Sequence, residues 1–155
     1  MNHASIEYLE VRPEFIPDLT QWFESEWPEY YGLSGRGSAA ADLQSYANRS
    51  ALPIGLVALI DEVPCGFIAL KAEPFQTHPH LFPWVGAAYV RPHLRRQGIG
   101  QTLITAAEVE AKKLGHGTLY CATGTAATLL ERCGWKLRER VLHQDQDIAI
   151  YEKAL

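Results

Sequence analysis

The sequence of 155 residues has three cysteines, little net charge and no long apolar run. Cys65, Cys121 and Cys133 are odd in number, widely spaced and form no Cys-x-x-Cys pair. This argues against a disulfide framework and a zinc site, so we expect no bound metal and a reduced, cytoplasmic compartment. No stretch reaches the ~18 apolar residues of a membrane span, and residues 1–5 begin no apolar signal core. We therefore expect no membrane partner.

Charge and length limit the partners and the architecture. The net charge of −4 gives no general attraction to nucleic acid, so we expect small partners. A hydrophobic content of 47% suits the core of one ordinary domain, spanning residues 1–155. The oligomeric state is left open between a monomer and a homodimer.

Hydrophobic periodicity and turn signals divide the chain into alternating strands and helices. The pattern predicts strands at residues 6–11, 54–60, 65–71, 81–90, 118–122, 135–142 and 147–155, and helices at residues 15–27, 39–49, 99–114 and 126–133. Pro28 is expected to end the first helix and to lead into a loop rich in Gly and Ser. The connection from the fourth strand through a helix to the fifth predicts a parallel pair. By itself this order, β-α-α-β-β-β-α-β-α-β-β, indicates a mixed α/β domain.

The most informative segment joins the fourth predicted strand to the third helix, and it reads Arg95-Arg96-Gln97-Gly98-Ile99-Gly100-Gln101. Its two glycines let backbone N–H groups approach a ligand without an obstructing Cβ. The helix N-terminus adds unpaired N–H groups and the positive end of its dipole, and the two arginines add charge. These are the requirements of a diphosphate site, although a glycine-softened surface turn with solvated arginines gives the same pattern.

Two well-known glycine motifs do not fit this segment. A dinucleotide fingerprint requires a third glycine three positions after Gly100, and a P-loop requires a second glycine four intervening residues after Gly98. Leu103 occupies both positions. The segment instead resembles motif A of the GCN5-related N-acetyltransferase (GNAT) superfamily. In that motif a strand ending in Val-x-Pro, here Val90-Arg91-Pro92, precedes Arg-x-x-Gly-x-Gly and a helix.

Residues 123–135 resemble a second GNAT motif, Asn-x-x-Ala-x-x-Leu-Tyr-Glu-x-x-Gly-Phe. The matching positions are Ala126, Leu129, Glu131, Gly134 and, with one aromatic residue for another, Trp135. Two positions depart from the pattern. Thr123 stands where the family usually has an asparagine that contacts the pantetheine arm, and Leu130 stands where it often has a tyrosine that protonates the leaving thiolate.

The resemblance implies the GNAT fold, an α/β fold with a mixed central sheet in the element order given above, and acetyl-CoA as acetyl donor. In the family, the end of the motif A strand diverges from the next strand and leaves backbone groups free for pantetheine, while motif A amides hold the pyrophosphate. Carried to this sequence, the resemblance implies that acetyl-CoA contacts Ala88, Tyr89, Val90, Arg95, Arg96, Gln97, Gly98, Ile99, Gly100, Gln101 and Thr123. The acetyl group passes directly to an amine, without a covalent enzyme intermediate.

Direct attack requires a neutral amine, so a base has to remove a proton that most amines hold at pH 7. Many relatives place a glutamate on the motif A strand, but residues 84–90 contain no carboxylate. Glu29 lies in the segment that borders the acceptor site in relatives and is the candidate base, with a solvated surface carboxylate as the alternative. The candidates for contact with the acceptor are Tyr30, Tyr31 and Asp145. His78 and His80 lack a third metal ligand, so we expect polar turn residues, with a base as the alternative role.

The leading hypothesis is an acetyl-CoA-dependent N-acetyltransferase that acts on a primary amine of a small molecule or of a peptide N-terminus. One alternative is a CoA-binding module of the same fold that has lost turnover, as Leu130 and the carboxylate-free strand suggest. Many active relatives lack one or both groups, which favours the enzyme. A third hypothesis is a nucleotide-binding α/β protein.

Overall fold

A computed structural model describes residues 3–155, which form a seven-stranded sheet with helices on both faces. The strands are β1 Ser5–Tyr8, β2 Ile54–Ile60, β3 Val63–Lys71, β4 Trp84–Val90, β5 Thr118–Thr123, β6 Lys136–His143 and β7 Gln146–Ala154. The helices are α1 Ile16–Glu26, α2 Pro28–Tyr31, α3 Ala39–Ser45, α4 Ile99–Lys113 and α5 Ala127–Arg132. Across the described chain, no helix is both long enough and apolar enough to span a membrane.

The strand order is β1-β2-β3-β4-β5-β7-β6, and all neighbouring strands are antiparallel except β4 and β5. The predicted parallel pair is present because α4 carries the chain across the sheet between these two strands. Successive residues of a strand point to opposite faces. Leu56 and Ile68 therefore join the core cluster of α4 and α5, whereas Val57 and Phe67 join that of α1 and α3.

The first third of the chain differs from the sequence-based expectation in three places, one of which is that α3 ends at Ser45 and not at residue 49. β1 ends at Tyr8, and Leu9–Val11 forms a 3₁₀ turn that buries the Leu9 side chain completely. The predicted loop is shorter than expected, because Pro28 begins the short helix α2 and only residues 32–38 lie outside helices and strands. The backbone of Trp27, with φ −124° and ψ 61°, ends α1. A proline suits the first position of a new helix, where its missing N–H would have no partner.

β4 carries a bulge close to the point where it separates from β5. Its ladder with β3 shifts register between Phe67 and Ala69, and the opposing Ala87 has a φ of +51°. A left-handed conformation is uncommon for a residue with a Cβ, and here it changes the direction of the strand. β4 pairs with β5 only at Trp84 and Val85. Beyond these residues the two strands diverge and leave a gap in the sheet, which we call the β4–β5 gap.

The terminal hairpin places β6 at one edge of the sheet. Its connection consists of Gln144 and Asp145, with φ values of 52° and 63°. Two successive positive φ values are the requirement of a tight type I′ turn. The turn brings the end of β6 back toward the start of β4, where the candidate site lies.

Candidate functional site

The loop between β4 and α4 presents a row of backbone N–H groups. α4 begins after Gly98, which has a φ of +88°, and no side chain of the described residues caps its N-terminus. Thr102 donates to the Gly98 carbonyl, but the N–H groups of residues 96–101 have no backbone acceptor within residues 3–155. Unpaired N–H groups at a helix N-terminus, together with the positive end of the helix dipole, suit an anionic ligand.

The two glycines of this loop have different roles in the fold. A Cβ on Gly98 would meet nothing within 4 Å, so the space beside it is open. A Cβ on Gly100 would lie 3.1 Å from Cδ2 of Leu129 on α5. Gly98 therefore faces open space next to the free N–H groups, whereas Gly100 permits the close approach of α4 and α5.

The two arginines of the loop also differ. Nε of Arg95 donates to the Val90 carbonyl at 2.7 Å, and its guanidinium carbon lies 5.4 Å from the ring centroid of Tyr89. Arg96 is exposed, has a φ of +65° and forms no ion pair with any described residue. Arg95 is thus held against the end of β4, and Arg96 is the freer cation. The Ile99 side chain is buried in the core, so this residue offers only its N–H.

The β4–β5 gap lies just before this loop in the chain. Ala88 is exposed on β4, and Thr123 ends β5 on the opposite side. Oγ1 of Thr123 accepts hydrogen bonds from the N–H groups of Thr125 and Ala126, at 3.1 and 2.8 Å. Thr123 therefore orders the chain that leads into α5, and its hydroxyl proton remains available for donation.

A cavity of about 820 Å³ opens between α2, the segment that follows β3, the first half of β4 and the end of β5. Its volume suits a small organic ligand. It reaches the β4–β5 gap, because Ala87 of β4 and Ala122 of β5 belong to its wall. The polar and aromatic residues of the wall are Glu29, Tyr30, Ser34, Arg36, Lys71, Glu73, Phe75, Gln76, Trp84, His143 and Gln144.

Of the residues predicted to contact an acceptor, Glu29 and Tyr30 line this cavity, but Tyr31 and Asp145 do not. The Tyr31 hydroxyl donates to the Asp42 carboxylate at 2.6 Å. Burial and this hydrogen bond raise the pKa of Tyr31 well above its usual value. Asp145 lies in the exposed turn between β6 and β7. Tyr31 therefore stabilises the packing of α2 on α3, and Asp145 shapes a turn.

Sequence reasoning missed three charged residues of the cavity wall, namely Arg36, Lys71 and Glu73. Lys71 ends β3 and pairs with Trp84 at the start of β4. The sequence did hold one signal for Lys71 and Glu73, since Lys71 ends the strand before the motif A strand and Glu73 follows it. Arg36 had no such signal, because it reaches the cavity only through the turns that follow α2.

His78 ties the segment after β3 to the terminal hairpin. Its Nε2 lies 2.7 Å from Oε1 of Glu139, and its Nδ1 lies 2.7 Å from Oγ1 of Thr77. Its ring also contacts those of His80 and Phe75, at centroid distances of 5.8 and 6.0 Å. In the part of the chain that the structure describes, no three His, Cys, Asp or Glu side chains are grouped as a metal ion requires. The nearly buried His78 therefore links the segment after β3 to β6.

All three cysteines are free thiols. Desolvation raises the pKa of Cys65 and of Cys133, and it raises the pKa of Cys121 to about 12. The thiolate is the nucleophilic form of cysteine. A thiol that keeps its proton at pH 7 is therefore not prepared for covalent catalysis.

Residues 16–135 match the Acetyltransferase (GNAT) family. The chain belongs to this family. The GNAT fold that the sequence resemblance implies is thereby confirmed, and acetyl transfer is the general chemistry of the family. No curated protein matches the sequence closely enough to count as a relative.

Solved structures share the GNAT fold over nearly the whole chain. An aminoglycoside 6'-N-acetyltransferase complexed with coenzyme A has a TM-score of 0.78 at 17% identity, covering 97% of this chain and 96% of its own. The aminoglycoside 6'-N-acetyltransferase from Enterococcus faecium has a TM-score of 0.75 at 17% identity, with 97% and 96% covered. The protein yncA from Salmonella typhimurium, solved with acetyl-CoA, has a TM-score of 0.75 at 14% identity, with 98% and 94% covered. At these identities the likeness shows the fold of this GNAT chain.

Proposed function

We propose that this GNAT protein is an acetyl-CoA-dependent N-acetyltransferase that acts on a primary amine of a small molecule or of a peptide N-terminus. The β4–β5 gap carries the proposal, because it adjoins both the loop with the free N–H groups and the 820 Å³ cavity. A donor held at the loop would meet, through the gap, an acceptor held in the cavity. Two structural neighbours bind coenzyme A or acetyl-CoA, which supports the choice of donor.

The residues at the loop fit the chemistry of a coenzyme A molecule. The N–H groups of residues 96–101, which include Gln97, Gly98, Ile99, Gly100 and Gln101, suit its pyrophosphate, and Arg96 adds a cation. Arg95 acts in part by fixing the end of β4 through the Val90 carbonyl. Backbone groups of residues 88–90 and the Thr123 hydroxyl flank the gap and suit the pantetheine amides. When bound, acetyl-CoA supplies an activated thioester.

Glu29 is the proposed base for the acceptor amine. It lines the cavity on α2, and its neighbours Trp27 and Tyr31 pack in the same cluster as Ala87, the bulged residue at the gap. Its carboxylate removes a proton from the ammonium, directly or through a water molecule, and the freed nitrogen lone pair attacks the thioester carbonyl. Glu73 lies in the same wall and attracts the ammonium.

Residue 130 does not supply the proton that the leaving thiolate takes up. Leu130 is 1% exposed and packs in the core below α4. The bond from carbon to nitrogen forms and the bond from carbon to sulfur breaks, the nitrogen releases its second proton to solvent, and the coenzyme A thiolate takes a proton from solvent. A thiolate of ordinary pKa is a competent leaving group at pH 7, so the reaction does not depend on a tyrosine here.

The proposal is tested by incubating the protein with acetyl-CoA and a panel of amines while free thiol is followed and the acetylated amine is identified by mass spectrometry. We expect at least one amine to accelerate thiol release above the water background. Tight coenzyme A binding without acceleration by any amine would instead favour the binding module. Displacement of coenzyme A by ATP at equal concentration would favour the nucleotide-binding alternative.

A further inference from the structure

Four charged side chains, two of each sign, line the cavity without an ion-pair partner in the described part of the chain. They are the acids Glu29 and Glu73 and the bases Arg36 and Lys71. Ion pairs are numerous elsewhere on the molecule, for example between Arg12 and Glu7 and between Arg138 and Glu152. None of the four cavity residues takes part in an ion pair or a side-chain hydrogen bond within residues 3–155. The wall of the cavity therefore offers both signs of charge to a ligand.

Lys71 is the most informative of the four, because it is half-buried. Its side chain lies across Gly86 on β4, where a Cβ would come within 3.0 Å of Lys71 Cδ and 3.7 Å of its Nζ. Glycine at position 86 therefore leaves room for the lysine stem, and the stem places the ammonium next to the β4–β5 gap. No described carboxylate pairs with this ammonium, so an anionic group of a ligand can form a charge-assisted hydrogen bond with it.

Aromatic rings complete the wall between the charged groups. Tyr30, Phe75 and Trp84 belong to the cavity lining, and the rings of Phe75 and Trp84 contact each other at 5.8 Å between centroids. Such rings suit the uncharged body of a small ligand. Cations, acids and aromatic rings together match a molecule that carries an amine, an anionic group and an organic side chain.

We propose that the acceptor of this protein is an amine with a carboxylate in the same molecule, as in an amino acid or a short peptide, and that Lys71 and Arg36 recognise the carboxylate. The inference rests on the proposed acetyl transfer and specifies its substrate class. Glu29 and Glu73 face the amine, and the two cations face the carboxylate. A polycationic acceptor, such as the aminoglycosides named for two structural neighbours, would meet unpaired like charges at Lys71 and Arg36.

The test compares matched amines by the rate of thiol release, with mass spectrometry of the acetylated product. Each amino acid of a panel is paired with its carboxamide and with its decarboxylated amine, and a polycationic aminoglycoside is included. Loss of a charge-assisted hydrogen bond corresponds to about 10- to 100-fold in kcat/KM, so we expect a preference of this size for the carboxylate. Lys71→Met, which keeps the stem, should lower the ratio by about 10-fold while Arg36 retains the rest, whereas Lys112→Met on the exposed face of α4 should leave it unchanged.

The outcomes separate this inference from the function on which it rests. If no amine accelerates thiol release, the proposed function fails and the substrate class fails with it. If amines are acetylated but the uncharged or polycationic ones are preferred, or if Lys71→Met retains the full ratio, the substrate class is wrong and the acetyltransferase stands. If Lys71→Met does not fold, Arg36→Gln replaces it as the test, because Arg36 lies in an exposed loop.

Discussion

The indole ring of Trp22 stacks on the phenol ring of Tyr89, with ring centroids 5.1 Å apart and an angle of 25° between the planes. The guanidinium of Arg91 lies 5.7 Å from the Trp22 ring, and that of Arg95 lies 5.4 Å from the Tyr89 ring. Two rings and two cations thus join α1 to the end of β4, immediately before the loop proposed to hold pyrophosphate. The geometry of that loop depends on a helix about 70 residues earlier in the chain.

Replacement of Trp22 should therefore affect both stability and cofactor binding. We expect Trp22→Ala to lower the free energy of unfolding by about 3 kcal/mol, since truncation of a large packed ring leaves a cavity. It should also weaken acetyl-CoA binding, because Arg91 loses the ring that it lies over and Tyr89, which carries Arg95, loses its stacking partner. Urea denaturation and calorimetric titration measure the two effects. Trp22→Phe keeps a ring and should retain most of both, and equal losses in the two variants would contradict the stacking role.

Gly98 and Gly115 form a matched pair at the two ends of α4. Their φ values are +88° and +90°, and a Cβ on either would meet nothing within 4 Å. Alanine at either position should cost about 1 to 2 kcal/mol through left-handed backbone strain. Only Gly98→Ala should raise the dissociation constant of acetyl-CoA, because only Gly98 adjoins the free N–H groups. Unchanged affinity in folded Gly98→Ala would overturn the pyrophosphate assignment.

Substitutions of Glu29 and Glu73 should change different kinetic parameters, because the two residues have different proposed roles. Glu29→Gln should lower kcat by about 100-fold at pH 7, since general base catalysis contributes on this order. It should also recover activity at high pH, where the amine loses its proton to solvent. Glu73→Gln should chiefly raise KM for the amine. Glu24→Gln, on the exposed surface of α1, is the control, and a Glu29 variant with normal kcat would reject it as the base.

The thiols should react slowly with iodoacetamide. Desolvation raises the pKa of all three cysteines, that of Cys121 to about 12, so little thiolate exists in the folded protein at pH 8. The unfolded chain has ordinary thiol pKa values near 8.5. The folded protein therefore favours the protonated thiols more than the unfolded chain does. This contribution to stability is complete below about pH 8.5 and is lost as pH rises toward the pKa values of the thiols in the folded protein. Mass spectrometry with and without urea measures the rates, and rapid labelling of folded protein at pH 7 would contradict the shifts.

Loss of the contact between His78 and Glu139 should weaken binding of the acceptor but not of acetyl-CoA. Glu139→Gln weakens the link between the segment after β3 and the terminal hairpin, which together carry Phe75 and His143 of the cavity wall. We expect KM for the amine to rise about 3- to 10-fold, the equivalent of one weakened hydrogen bond, with acetyl-CoA affinity unchanged. Asp147→Asn breaks the exposed pair with Arg140 and should change neither. A change in the acetyl-CoA affinity of Glu139→Gln would contradict a role that is confined to the acceptor cavity.

The sequence predicts the loop of residues 95–101 because everything the loop needs is local. The glycines, the arginines and the helix that follows all lie within a few residues of one another, so their spacing alone carries the geometry. The parallel pair of β4 and β5 also follows from chain order. Both features are properties of a single continuous segment.

The cavity is less predictable, because its wall comes from distant segments. Arg36, Lys71 and His143 meet there only through the order of strands in the sheet, and no spacing along the chain encodes that meeting. Tyr31 illustrates the same difficulty, since it neighbours Tyr30 in sequence but turns toward Asp42 once α2 forms. Successive residues of α2 point in different directions, so Tyr30 reaches the cavity and Tyr31 does not. Pro28 suits both the end of α1 and the start of a new helix, so the sequence did not decide between a loop and α2.

The cavity wall runs from residue 29 to residue 144, so the cavity exists only while the sheet is fully assembled. Any molecule that fills it binds the native chain and not the unfolded one, and it stabilises the protein by about 2.7 kcal/mol at one hundred times its dissociation constant. Resistance to heat therefore reports occupancy. Unlabelled metabolites can be ranked by melting temperature alone, before any of them is known to be consumed.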